Sequence, residues 1–217
     1  MFQRLMYLIG LTLALIEPSS ASTFLFTWTE NGANVSLGAS STFTESPMKV
    51  TAYVFNTDGT VGTNALYAKN LGGDEVGLGT TADPSGQHEI VPSDYIQLDF
   101  SDMKSKFTIT AATLQMDSST GTEGYKIYGK NTTTMGGTLV SFGSSLYTGT
   151  SETSFNVLSY IQSYNTLAIN ETTGGGNVLL GSLLITATQN APEPATMWML
   201  GGAVGLLALA RRRRRSA

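Results

Sequence analysis

Tyr95-Ile96-Gln97-Leu98-Asp99-Phe100 sets Ile96, Leu98 and Phe100 at every second position. An extended chain points alternate side chains to opposite faces, so this hexapeptide predicts a strand with those three residues on one face. The same period recurs on both sides of it. Towards the N-terminus, Val50-Thr51-Ala52-Tyr53-Val54-Phe55 alternates and runs into the turn signal Asn56-Thr57-Asp58-Gly59, and Phe24-Leu25-Phe26-Thr27-Trp28-Thr29 reads as an aromatic strand. Towards the C-terminus, Phe107-Thr108-Ile109-Thr110-Ala111 alternates, and further strands are predicted over Tyr125–Tyr128, Leu139–Phe142, Leu167–Ile169 and Val178–Ile185. Thr172-Thr173-Gly174-Gly175-Gly176-Asn177 reads as a flexible turn between the last two of these. The only plausible soluble helix is Ser154–Tyr164, which also fits a strand followed by a turn. Short strands parted by Gly, Asn, Asp and Ser predict an all-β antiparallel domain over residues 22–186, a β-sandwich or jelly roll. No regular repeat is visible, which disfavours a solenoid or propeller.

Charge is strongly segregated along the chain. Residues 22–191 hold six lysines, no arginine and fourteen acidic groups, a formal charge of −8, whereas the whole chain is −4. Such a body disfavours nucleic acid and anionic lipid. Without arginine it also lacks the preferred bidentate clamp for phosphate or carboxylate. Cysteine is absent, which excludes thiolate metal sites, cysteine nucleophiles and disulfides together.

Both ends carry apolar segments. Arg4 precedes the apolar run Leu5–Ile16, Pro18 breaks it, and Ser19-Ser20-Ala21 offers small residues for signal peptidase. Cleavage is predicted between Ala21 and Ser22, making residues 1–21 a signal peptide with a signal helix. At the other end, residues 187–191 form a brief linker to Pro192-Glu193-Pro194. The uncharged span Ala195–Ala210 then meets Arg211, Arg212, Arg213, Arg214 and Arg215. As a helix this span would reach roughly 24 Å, short of a hydrocarbon core of about 30 Å, which suits a temporary anchor. Trp198 fits an interfacial aromatic, and Gly201 with Gly205 forms a GxxxG pair. The arginine block fixes a cytoplasmic end by the positive-inside rule. A proline-flanked glutamate just outside the membrane stays in extended chain that an enzyme can grip.

The order of tripeptide, apolar span and arginine block resembles the PEP-CTERM sorting signal of exported proteins of Gram-negative bacteria. The resemblance covers residues 192–217 and implies that exosortase, an integral-membrane transpeptidase, processes the chain at or near Pro192, Glu193 and Pro194. It implies a transient membrane anchor, then release to the cell envelope surface or extracellular matrix. A second, looser resemblance runs through Gly77-Leu78-Gly79, His88-Glu89-Ile90, the strand Tyr95–Phe100 and Tyr125-Lys126-Ile127-Tyr128-Gly129-Lys130-Asn131. This block order is similar to that of exported PEP-CTERM β-domains and implies a surface domain, with no binding residues assigned.

Signals for chemistry in the body are sparse. His88 is the only histidine, and a triad with Asp94 or Asp99 lacks the Gly-x-Ser-x-Gly elbow that would present a serine. Asp74, Glu75, Asp83 and Glu89, followed by Asp99 and Asp102, are a carboxylate cluster of the kind calcium uses, without any calcium-loop motif. Tyr53, Tyr95, Tyr125 and Tyr128 could stack on sugar rings or serve as half-buried strand residues. Asn34, Asn131 and Asn170 head glycosylation-type triplets. No catalytic or metal site and no cofactor is expected. The expected function is a non-enzymatic exported surface or matrix protein associated with exopolysaccharide and biofilm. A polysaccharide-binding sandwich, calcium-assisted or not, is the alternative, and a secreted hydrolase the third.

Overall fold

Among the described residues, thirteen strands form the framework. They are β1 (Ser22–Thr27), β2 (Val35–Gly38), β3 (Ser40–Glu45), β4 (Met48–Asn56), β5 (Leu66–Asn70), β6 (Val76–Thr80) and β7 (Asp94–Asp99), then β8 (Phe107–Asp117), β9 (Tyr125–Lys130), β10 (Tyr147–Gly149), β11 (Ser154–Asn156), β12 (Thr166–Glu171) and β13 (Leu179–Gln189). Two one-and-a-half-turn helices, α1 (Ser101–Lys106) and α2 (Leu158–Ser163), and a 3-10 turn at Leu139–Phe142 complete the set. The structure, a computed structural model, describes residues 20–190 apart from 74, 118–122, 133–134, 151–153 and 173–177. The expected signal helix and the apolar helix 195–210 lie outside the described residues. Among those described, no helix is long and apolar enough to cross a membrane.

The strands form two antiparallel sheets. One runs β11-β8-β13-β6-β5-β2, with β1 also paired to β13, and the other runs β10-β9-β12-β7-β4-β3. Their facing sides share one apolar core. Phe26, Leu180, Leu183 and Ile185 come from the first sheet, and Val50, Val54, Ile96, Leu98 and Ile169 from the second. This is an all-β sandwich. The alternation seen in sequence is the cause: β4 turns Val50, Ala52 and Val54 inward, and β7 turns Ile96 and Leu98 inward beside them. Each fully buried aliphatic side chain is worth roughly 1.5–3 kcal/mol, so a one-residue slip that turned a strand over would be prohibitive.

Three expectations need correction. Leu139–Phe142 is a 3-10 turn and not a strand, because Leu139 and Phe142, three residues apart, both point onto one sheet. Gly136 (φ 83°) and Gly143 (φ 83°) flank it with backbone that only glycine adopts readily. Ser154–Tyr164 holds both of its readings, β11 and then α2, and it is not the only soluble helix. α1 was not legible because six residues are too few for helical periodicity; it is set by Asp99 Oδ1 accepting from the Ser101 N–H and by the Asp102–Lys106 pair. Finally, β13 continues to Gln189, through part of the expected linker 187–191, and Ala187 is buried there.

β1 supplies the last architectural point. It pairs with β13 from Ser22 opposite Ala187 to Thr27 opposite Ser182. The two ends of the domain are therefore neighbours in one sheet.

Candidate functional site

The outer faces of both sheets carry overlays, and these gather the polar residues. On the first sheet, Gly77 lies opposite Lys69 and Gly79 opposite Tyr67 in the β5–β6 register. A side chain on Gly79 would put its β-carbon 1.9 Å from the His88 carbonyl oxygen. The missing side chain is thus what lets the segment His88-Glu89-Ile90 lie across β6, where Ile90 bridges to Val178. His88, at φ 61°, stacks its ring on Tyr67 at 3.8 Å between centroids. Thr80 Oγ1 donates to the Glu89 carbonyl at 3.1 Å, and the Glu89 N–H donates to Asp83 Oδ2 at 3.4 Å.

Beneath this overlay Lys69 sits between two carboxyl groups. Its Nζ is 2.7 Å from Glu89 Oε1 and also contacts Glu75 Oε2. Lys69 and Glu89 are each only 2% exposed, so a lysine and a carboxyl meet away from water. Burial pulls the Lys69 ammonium down, but hydrogen bonds and charge from Glu75 and Glu89 outweigh it and leave it above the ordinary lysine value. Burial raises the Glu89 carboxyl, and Lys69 only partly restores it. Glu89 Oε2 has no hydrogen-bond partner among the described residues.

The sequence candidates in this region divide accordingly. His88 shares no hydrogen bond with Asp94 or Asp99. Asp94 instead accepts from Asn64 Nδ2 at 3.0 Å, and Asp99 from the Ser101 N–H, so the imagined triad is not assembled. Of the carboxylates, Glu75 and Glu89 converge on Lys69, Asp83 accepts from Ser85 and Asp102 pairs with Lys106, while Asp74 lies outside the described residues. Among the described residues no group of three or more His, Asp or Glu is disposed to hold a metal ion. Lys69 and Tyr67 were missed by sequence reasoning. The available signal was Gly77 and Gly79 at strand period, which marks a close backbone approach.

On the second sheet the outer face is aromatic. Register aligns Tyr53, Gln97, Ala168 and Tyr128 across β4, β7, β12 and β9, and Phe55 with Tyr95 in the next row. The segment 135–142 covers part of it: Leu139 and Phe142 pack with Phe55, Tyr95 and Ala168. The Gly136 N–H donates to Gln97 Oε1 at 2.9 Å, and Tyr95 Oη donates to the Gly137 carbonyl at 2.7 Å. Burial, with the Asp58 charge, pushes the Tyr95 phenol up to about 12. Tyr53 and Tyr128 remain half-buried beside the overlay, whereas Gln97 is fully buried beneath it, its Nε2 without a hydrogen-bond partner among the described residues. Tyr125 belongs to the inner core instead, next to Tyr147 and Phe155.

The amides of the three glycosylation-type triplets brace backbone. Asn34 Nδ2 donates to the Asn70 carbonyl, Asn131 Nδ2 to Ser163, and Asn170 Nδ2 to Asp94. Ala21 is exposed and Ser22 opens β1, whereas Pro192, Glu193, Pro194 and Arg211–Arg215 lie outside the described residues.

Comparison with known families supplies the tail's identity: the model for the PEP-CTERM protein-sorting motif matches residues 190–215. The chain carries a PEP-CTERM protein-sorting motif. No curated protein and no solved structure matches the chain. The PEP-CTERM motif makes this an exported protein with transient membrane anchoring, and exosortase is its processing partner. The match spans the tripeptide, the apolar span and the arginine block, the three parts to which physical roles were assigned.

Proposed function

We propose that this is a non-enzymatic protein of the envelope surface or extracellular matrix of a Gram-negative bacterium. Signal peptidase cuts it between Ala21 and Ser22. Exosortase processes it at or near Pro192-Glu193-Pro194, and the released sandwich contacts exopolysaccharide in a biofilm. The observation that carries this reading is the PEP-CTERM motif over residues 190–215. The pairing of β1 with β13 supports it, since Ser22 opposite Ala187 brings both processed ends to one edge of the domain. Cutting at either end then leaves the sandwich intact.

The test is expression of the full chain in a host with and without exosortase, carrying an epitope tag after exposed Asn190. Fractionation and mass spectrometry should show loss of the apolar span and arginines only with the enzyme present and Pro192-Glu193-Pro194 intact. Retention of the tail in the membrane under both conditions would reduce the protein to an ordinary tail-anchored one.

A second reading is favoured by one feature, the half-buried Tyr53 and Tyr128, which the register places in one row of the outer face of the second sheet. Half-buried tyrosines on an outer sheet face suit stacking on a sugar chain. On this reading Tyr53→Ala and Tyr128→Ala each weaken retention of the exported protein on exopolysaccharide. Unchanged retention in both would discard it.

A further inference from the structure

Of the six lysines between residues 22 and 191, Lys69 alone is buried. It faces two carboxyl groups, that of Glu89, as buried as Lys69 itself, and that of Glu75, 43% exposed. The second oxygen of Glu89, Oε2, has no hydrogen-bond partner among the described residues.

We propose that Lys69 Nζ and the Glu89 side-chain carboxyl join in an amide bond that forms spontaneously in the folded domain, with Glu75 as the proton carrier. The starting state is an ammonium on Lys69, a carboxylate on Glu75 and a neutral acid on Glu89. The Lys69 ammonium first passes a proton to Glu75, freeing the amine lone pair. That lone pair attacks the Glu89 carboxyl carbon and the nitrogen–carbon bond forms. Glu75 then takes a second proton from nitrogen while returning one to the departing hydroxyl, and the carbon–oxygen bond breaks to release water. One ammonium, one acid and one carboxylate become one amide, one water and one protonated Glu75. Glu75, 43% exposed, passes its proton on to solvent.

Three observations supply what this reaction needs. Nζ lies 2.7 Å from Oε1, one covalent bond from the carbon attacked. Such fixed proximity replaces a bimolecular encounter and is worth effective molarities of about 10⁵ M or more in well-oriented cases. The electrophile is held still: the Glu89 carbonyl and N–H are tied to Thr80 and Asp83, and the next residue, Ile90, is bridged to Val178. Burial favours the neutral acid over the carboxylate and keeps out water, which would reverse the step. The gain to the protein is also plain. An exported domain with no cysteine has no disulfide to hold it, and this bond would staple the overlay to β5 across 20 residues.

Trypsin decides the matter on the exported full-chain product, independently of how its ends are processed. An amidated lysine is not cut, and the flanking cleavage points are Lys49 and Lys104. The linked protein therefore yields a single peptide, 50–104, lighter than its sequence by one water, with fragment ions joining Lys69 to Glu89. Lys69→Arg should abolish the loss, and Glu75→Gln should leave the peptide unlinked. Glu89→Gln should give the same linked mass, since ammonia then leaves in place of water. Cleavage after Lys69 in the wild type, with both halves at unmodified mass, overturns the proposal. Full linkage in Glu75→Gln overturns the role given to Glu75.

Discussion

The two overlays solve one problem with different chemistry. On the β4–β7–β12 face, the segment 135–142 lays Leu139 and Phe142 over Phe55 and Tyr95, an apolar layer with a few hydrogen bonds at its margin. On the β5–β6 face, the segment around His88 is held by glycines, a ring stack and a lysine between two glutamates. Apolar layers are non-directional and tolerate rearrangement, whereas a buried charge is stable only in the company of its partners. The first overlay should therefore fail gradually and the second abruptly.

The largest effect should come from breaking the ionic overlay. Lys69→Met leaves Glu89 buried without a partner and should cost about 3–5 kcal/mol in denaturant unfolding of the mature protein. A cost below about 1 kcal/mol would mean that the cluster is structurally idle. In the apolar overlay, Phe142→Ala removes a side chain 7% exposed at the edge of its cluster and should cost roughly 3 kcal/mol, with the outer layer loosened and the inner core intact. Hydrogen exchange checks this: protection should fall for the segment 135–142 while β7 amides remain protected.

The smallest effects are in pH dependence, and they have opposite signs in two aspartates. Burial raises Asp94 above the ordinary value of 3.8, the hydrogen bonds from its neighbours offsetting this only in part. Its folded form holds the proton longer than the unfolded chain, so its contribution declines as pH rises from 3.8 through the raised folded value. Asp83 in the ionic overlay is also raised by burial, but hydrogen bonds from Ser85, Glu89 and Gln87 together leave it below 3.8. Its contribution is present above that value and is lost as pH falls through the depressed folded one. Melting temperatures measured against pH should therefore show Asp94→Asn gaining on wild type as pH rises. The deficit of Asp83→Asn should shrink in acid. Parallel curves for both variants would show that neither carboxyl is perturbed as argued.

Much of the sandwich was open to reading from local pattern. β1, β4, β7, β8 and β9 alternate, and alternation depends only on neighbours in sequence. β2, β3 and β5 were passed over because Val35–Gly38, Ser40–Glu45 and Leu66–Asn70 are too short or too polar to show the period alone. Leu139–Phe142 misled because four apolar-rich residues fit a strand as well as one turn with i and i+3 on the same side. Within the candidate site, Gly77, Gly79, His88 and Glu89 stood out, but Lys69, the residue they serve, did not.

The sequence by itself determined the class: a cysteine-free acidic body, strands in antiparallel sheets and a PEP-CTERM tail. All of these are written in composition and in runs of adjacent residues. Only the tertiary structure decided that Ser22 lies opposite Ala187, that 135–142 covers one sheet, and that Lys69 meets Glu75 and Glu89. The reason is register. Pairings between residues far apart in the chain are selected by the burial of whole sheet faces together, and no local stretch carries that information.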